Sequence, residues 1–191
     1  MEGPNLPTSI DFELEQRVRF LRAANVDALK HSERGLLDHL LGTRELLRRW
    51  GARPALCDAG LFHSVYATEG YNQAALPLSS RTTVQELIGK EAEALAWLFC
   101  VMRRETLKAN IGRPDGFAIE HRISGDLILL TADQFLDLVN VTFANELEPY
   151  PRMWRSWRRG CRAYLKTFRH LAMPGGRIDR RSAENYVADK T

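Results

Sequence analysis

The chain has 191 residues, 45% of them hydrophobic and 27% charged, a balance that gives one compact domain with its own core and excludes a disordered or fibrous chain. Three cysteines at wide spacing, Cys57, Cys100 and Cys161, suggest neither a disulfide framework nor a paired-cysteine zinc site, so a reducing cytoplasm is the expected setting. The formal net charge of +3 is too small to imply nucleic acid, but residues 152–181 carry ten Lys and Arg against one acid, Asp179. No apolar run approaches the ~18 to 20 residues of a membrane span, and the first residues have no apolar signal core, so a soluble, unprocessed protein is expected.

Apolar residues recur at helical spacing almost throughout, and no alternating run competes with them, so the expected class is all-α, a single domain of about seven helices. Ser9 can cap a first helix running to about Lys30, with Leu14, Val18 and Leu21 on its inner stripe. Ser32 can cap a second, carrying Leu36, Leu37, Leu40, Leu41, Leu46 and Leu47 and ended by Gly51. Pro54 suits the first turn of a third, through about Tyr66.

After a loop over residues 67–80, Thr83 with Glu86 has the pattern of a capping box opening a short helix to Gly89, and another helix follows from Lys90 to about Arg104. Residues 108–125, with three glycines and Pro114, are expected as a long surface loop. Thr131 with Gln134 is a second capping box, starting a helix that bears Phe135, Leu138, Val139, Phe143 and Leu147 and is stopped by Pro149 and Pro151. A last helix over 152–172 sets Trp154, Trp157, Cys161, Leu165, Phe168 and Leu171 on one stripe and its arginines on the other, before a polar tail over 173–191.

Of five histidines, His39 (in LLDHLLGT) and His63 (in AGLFHSVYATE) fall on apolar helix faces and are expected to point inward. A buried imidazole must be hydrogen-bonded, ligate something or act in catalysis, and a satisfied core residue is the plain alternative for each taken singly. His31 precedes the second helix; His121 and His170 sit in polar surroundings and are expected to be solvated.

The order of these residues resembles the HD-domain superfamily, whose pattern is a His, a His-Asp pair and a later Asp in an Ala-Asp step on an apolar helix. His39 matches the first position, His63-Ser64 the pair and Ala144-Asn145 the last step. The chain is similar to the hydrolase domains of guanosine-tetraphosphate synthetase/hydrolases over roughly residues 30–150, and also to small HD-like proteins in which His-Ser stands for His-Asp, which His31-Ser32, residues 37–43 and residues 60–66 fit. The resemblance implies an HD-like helical body over residues 1–172.

Both aspartates of the pattern are missing, replaced by Ser64 and Asn145. In an HD hydrolase two histidines and two aspartates hold a divalent metal that activates water, and hard cations depend on those carboxylates. The expectation is therefore a degenerate metal site with no cofactor. The rescues are Glu69 swinging in, His31 joining His39 and His63 as a third imidazole in a set that favours zinc, iron(II) or copper over magnesium, or Asp137 and Glu146 approaching from the ANELE helix; the alternative cofactor is a divalent metal such as iron, zinc or manganese.

Without a metal, His39 and His63 form an imidazole pair for general acid–base catalysis, with Glu69 and Tyr66 as further catalytic candidates and His31, Thr43, Ser64, Arg81 and Asn145 as substrate-binding candidates. Arg81, before a helix N-terminus, can meet an anionic group or be a plain surface arginine. Cyclisation, isomerisation, dehydration and hydrolysis of a small molecule all suit this inventory. Two alternatives stand beside it: a metal-dependent phosphohydrolase or oxygenase with altered ligands, and a non-catalytic ligand-binding or oligomerising protein. Nucleic acid and membrane are not expected partners, because the aromatics of residues 152–172 lie opposite the arginines rather than between them; a homodimer contact through Trp154 and Trp157 is a second use of that stripe.

Overall fold

A computed structural model describes residues 9–31, 34–110 and 113–149, and these form a mostly helical body. The helices are α1 (Ser9–Ala23), α2 (Leu36–Arg49), α3 (Pro54–Phe62), α4 (Arg81–Ile88), α5 (Lys90–Val101), α6 (Arg104–Lys108) and α7 (Ala132–Leu147). Two short antiparallel ribbons interrupt them: β1 (Lys30–His31) with β2 (Arg34–Gly35), and β3 (Ala118–Glu120) with β4 (Leu127–Leu129). Within the described residues the all-α class therefore holds in its coarse form and needs both ribbons added.

α3 organises the body. Its residues from Leu56 to Phe62 are all buried, and it packs on α2, α5 and α7. A helix buried on every side, its one charge Asp58 met by Arg17 and Arg44, belongs in the middle of a domain rather than on its surface. On one side Cys57 and Ala59 join Leu46, Leu47, Phe99, Phe135, Leu138 and Phe143. On the other, Leu61 and Phe62 join Leu21, Leu36, Leu40, Val84 and Ala96. Gly60 lets α2 come close, since a Cβ there would press on the Leu47 side chain. The Cys57 thiol, which sequence spacing places as a core group, is pushed up to about 11 by burial.

Several boundaries differ from expectation for local reasons. α1 ends at Ala23 because Asn25 turns left-handed (φ 55°) and a 3-10 turn, Val26–Ala28, follows it. α2 begins at Gly35 rather than at a Ser32 cap, and Ser32 lies outside the described residues. α3 stops at Phe62 instead of continuing to Tyr66, leaving His63 as its C-cap and Ser64 to Ala67 in a tight turn whose alanine carries φ 65°. α4 starts two residues before Thr83, because a 3-10 turn, Leu78–Ser80, runs straight into it; Thr83 and Glu86 are interior positions, not a capping box.

The helix expected to reach Arg104 breaks at Met102, whose backbone is extended and bridges His121. Residues 108–125 are not simply a loop either. Asn110, 1% exposed, gives its amide hydrogens to the carbonyls of Thr106 and Ala118 and accepts from the Ala118 N–H, which ties the end of α6 to β3 and brings Ile119 into the core. His121, expected to be solvated, is half-buried and accepts from the Ser124 N–H at Nδ1. The start of α7 matches in full: the Thr131 hydroxyl accepts from the Gln134 N–H, and the Gln134 side chain accepts from the Thr131 N–H. The basic helix over 152–172, with Trp154, Trp157 and His170, and the polar tail over 173–191 lie outside the described residues. No described helix is long and apolar enough to cross a membrane.

Candidate functional site

Three helices converge on one buried point. α2 supplies His39, the C-cap of α3 supplies His63, and α7 supplies Asn145, with Glu148 at its C-cap. His39 is 1% exposed and His63 0%. Their rings stand nearly edge to face, with centroids 5.1 Å apart and planes at 74°. Phe99 of α5 closes the apolar side, its ring edge-on to His63 at 4.9 Å.

The hydrogen bonds assign the two nitrogens of each ring. His63 Nδ1 lies 2.7 Å from the Gly60 carbonyl, one of the last carbonyls of α3 that the helix cannot use internally. A carbonyl only accepts, so Nδ1 carries the hydrogen and donates it. His39 Nδ1 lies 2.7 Å from Glu148 Oε2, a carboxylate whose side chain is 1% exposed. Nδ1 is again the donor. A neutral ring then bears its lone pair at Nε2, and a protonated ring donates there; both Nε2 atoms lie 3.0 Å from the same side-chain atom, Asn145 Oδ1, which only accepts.

Asn145 suits that position because its amide offers either polarity. As placed, Oδ1 faces inward and accepts from a ring that carries hydrogen at Nε2, while Nδ2 donates to Glu146 Oε1 at 3.4 Å; with the amide turned over, the NH2 group would donate to the ring lone pairs instead. An aspartate there, as the HD pattern has it, only accepts. A neutral amide at this point can face either protonation state of an imidazole.

The other expected residues are distributed elsewhere. Thr43 is buried beneath His39, but its hydroxyl donates to the His39 carbonyl, one turn back on the same helix. Ser64 is buried next to His63. Glu69 is exposed, and its carboxylate accepts from the Arg104 N–H at the start of α6. Tyr66 and Arg81 stand together. Both belong to a cluster around Glu93, a carboxylate 0% exposed on α5. Arg81 holds it with two bonds of 2.6 and 2.8 Å, Gln85 donates a third, and the Arg81 guanidinium stacks on Trp97 at 4.4 Å. Burial, with the nearby Glu93 charge, pushes the Tyr66 hydroxyl up, which makes it a poor proton donor at neutral pH. Arg81 is thus spent on the fold. His31 lies in β1 by its backbone.

Nor do the acidic rescues reach the pair. Asp137 is clamped by both terminal nitrogens of Arg53, at 2.7 and 2.6 Å, and Glu146 pairs with Arg104 at 3.0 Å. Among the described residues no three of His, Cys, Asp and Glu are grouped to hold a metal ion. Two imidazoles and an amide oxygen meeting at one point do not make the carboxylate-rich set that a hard cation needs.

Sequence reading missed Glu148. Its position held a signal: it follows Asn145 by three residues, one helical turn along the same face. Gly42 was the complementary signal, a glycine inside an apolar helix, which marks a close approach. A Cβ at Gly42 would sit 2.7 Å from both Cγ and Cδ of Glu148, so the glycine is what admits the carboxylate to the back of His39.

Residues 20–104 match the model of a family described as a domain of unknown function, DUF6817. The match takes in His39, His63 and Arg104 and leaves the α7 residues Asn145 and Glu148 beyond it. Neither the curated proteins nor the solved structures give a match.

Proposed function

We propose that this protein is an enzyme of metal-independent acid–base chemistry, acting on a small molecule through the His39–His63 pair in an HD-like helical body. The observation that carries the reading is the convergence of the two Nε2 atoms, each 3.0 Å from one atom of Asn145, while each Nδ1 is committed to an acceptor. A ring whose Nδ1–H is held exchanges protons only at Nε2. Two such atoms at one point allow one imidazole to take a proton from a substrate while the other returns one, the requirement shared by isomerisation, dehydration, cyclisation and hydrolysis. Support for the HD-like body comes from the chain order of the converging residues: a histidine on α2, a histidine ending α3 and the Ala-Asn step on α7.

Asn145, at 8% the most exposed member of the group, marks the way in. Beside it the Arg104–Glu146 pair forms a polar rim, with the Arg104 guanidinium 5.8 Å from the Phe99 ring centroid. A substrate reaches the imidazoles by displacing the Asn145 amide, whose two polarities then serve substrate groups as they served the rings. Closure around the pair keeps bulk water from exchanging the proton in transit.

The test is substrate discovery by mass spectrometry. Purified protein with chelator is incubated with a small-metabolite extract, beside His39→Gln and His63→Gln variants of unchanged thermal stability. The expected result is one compound consumed by the native protein and turned over at least about a hundredfold more slowly by either variant. Turnover abolished by the chelator would replace this reading with the metal-dependent one, and no turnover by any form would favour the non-catalytic ligand-binding protein.

A further inference from the structure

The two imidazoles are not equivalent, and the difference lies behind them. His63 is backed by a neutral carbonyl, Gly60, and His39 by a carboxylate, Glu148, with both contacts at 2.7 Å. A carboxylate at Nδ1 does two things that a carbonyl does less well. It fixes the tautomer that leaves Nε2 basic, and it stabilises the imidazolium once Nε2 has taken a proton. The contact is built rather than incidental: Glu148 is 3% exposed and its side chain occupies space that any residue but glycine at position 42 would fill.

We propose that Glu148 is a positioning residue that makes His39 the proton acceptor of the pair and leaves His63 as the group that returns the proton. This rests on the acid–base reading above for its function, but its geometry can be tested without a substrate. Glu148 meets His39 at Nδ1, on the other side of the ring from the Nε2 atom that faces Asn145. The chain thereby has a carboxylate–imidazole dyad of its own, assembled from α2 and the end of α7.

The experiment reads tautomers by long-range proton–nitrogen NMR on protein labelled with 15N-histidine, at a pH where both rings are neutral. In the native protein both rings are expected to carry hydrogen on Nδ1. Glu148→Leu removes the acceptor, and His39 is expected to move its hydrogen to Nε2, where Asn145 Oδ1 accepts it, while His63 stays as it was. Gly42→Ala keeps the carboxylate but denies it the space, and is expected to give the same one-ring change; alanine is the better helix former, so the helix itself is not weakened. Glu148→Gln, whose amide oxygen also accepts, is expected to keep the native tautomer. His39 holding its hydrogen on Nδ1 in both Glu148→Leu and Gly42→Ala, or His63 changing along with it, overturns the proposal. Neither result depends on turnover, so failure here and failure of the acid–base reading are separable. With a substrate in hand, Glu148→Leu is expected to lower kcat at least about tenfold with KM little changed, and Glu148→Gln to recover part of it.

Discussion

The histidine pair and the Glu93 cluster are both buried polar groups on neighbouring helices, and sequence reading assigned members of both to one site. They differ in how their hydrogen bonds end. Around Glu93, every charge finds its complement: two bonds from Arg81, one from Gln85, and an aromatic face for the guanidinium. Around Asn145, two rings of the same kind meet at one amide, one backed by a carboxylate and the other by a backbone carbonyl. The Arg81–Glu93 ion pair is closed on itself and serves the fold. The proposed acid–base role rests on the meeting of the two rings at one atom.

The largest expected effect should separate the two regions by stability. Glu93→Ala leaves Arg81 facing a buried gap and is expected to cost about 3 kcal/mol, since losing one partner of a buried pair costs roughly 3 to 5 and Arg81 is partly open to solvent, with 31% of its side chain exposed. Chemical denaturation measures it, and the tautomers of His39 and His63 should not change. Should the rings respond to Glu93→Ala, the regions are one unit and the contrast fails.

Next in size is a change of ligand chemistry. Asn145→Asp puts a carboxylate 3.0 Å from both Nε2 atoms and creates the two-imidazole, one-carboxylate set that zinc or iron(II) favours. Zinc affinity by titration calorimetry is expected to rise at least about a hundredfold over the native protein. Equal affinity in the two forms would show that the lost charge is not what distinguishes this centre from a metal-binding one.

How much of this was legible depended on whether a signal was local. The Thr131–Gln134 box was readable because a cap is a four-residue event, and both of its bonds form. Thr131→Ala is accordingly expected to cost about 1 kcal/mol while leaving the His39–His63 geometry alone, because helix ends fray locally and Asn145 lies 14 residues along. That His39 and His63 point inward was readable from the apolar helix faces that carry them, and both are buried; their meeting at Asn145 is a tertiary fact that periodicity does not carry. Glu148 and Glu93 were not readable. Each is an acid near a helix end, where acids are ordinarily solvated, and only the tertiary arrangement, with Gly42 on one side and Arg81 on the other, shows that they are buried. The ribbons were hidden because strands of two or three residues are too short to show a period of two.

The smallest effect sharpens the comparison by extending it to a third buried acid. Asp58, 4% exposed on α3, faces Arg17 at 3.1 Å and Arg44 at 3.9 Å, and Arg44 gives it no hydrogen bond from its buried Nε. Burial pushes the Asp58 carboxyl above its ordinary 3.8, and the two arginine charges pull it back without cancelling the rise. Burial also pushes on Glu93, but there the hydrogen bonds of Arg81 and Gln85 outweigh it and hold the carboxyl below its ordinary 4.5. The signs of the stability change are therefore opposite. Folded Asp58 binds its proton before the unfolded chain does, so its burial cost is relieved as pH falls toward 3.8. Folded Glu93 binds its proton after the unfolded chain does, so its contribution is complete above 4.5 and is lost as pH falls below that. Measured by denaturation between pH 6 and 3, the native protein is expected to gain on Asp58→Asn as the pH drops to about 4, and to lose on Glu93→Gln below it. Parallel slopes for the two variants would mean that direct hydrogen bonding to the charged form, present at Glu93 and incomplete at Asp58, is not what divides a satisfied buried acid from a strained one.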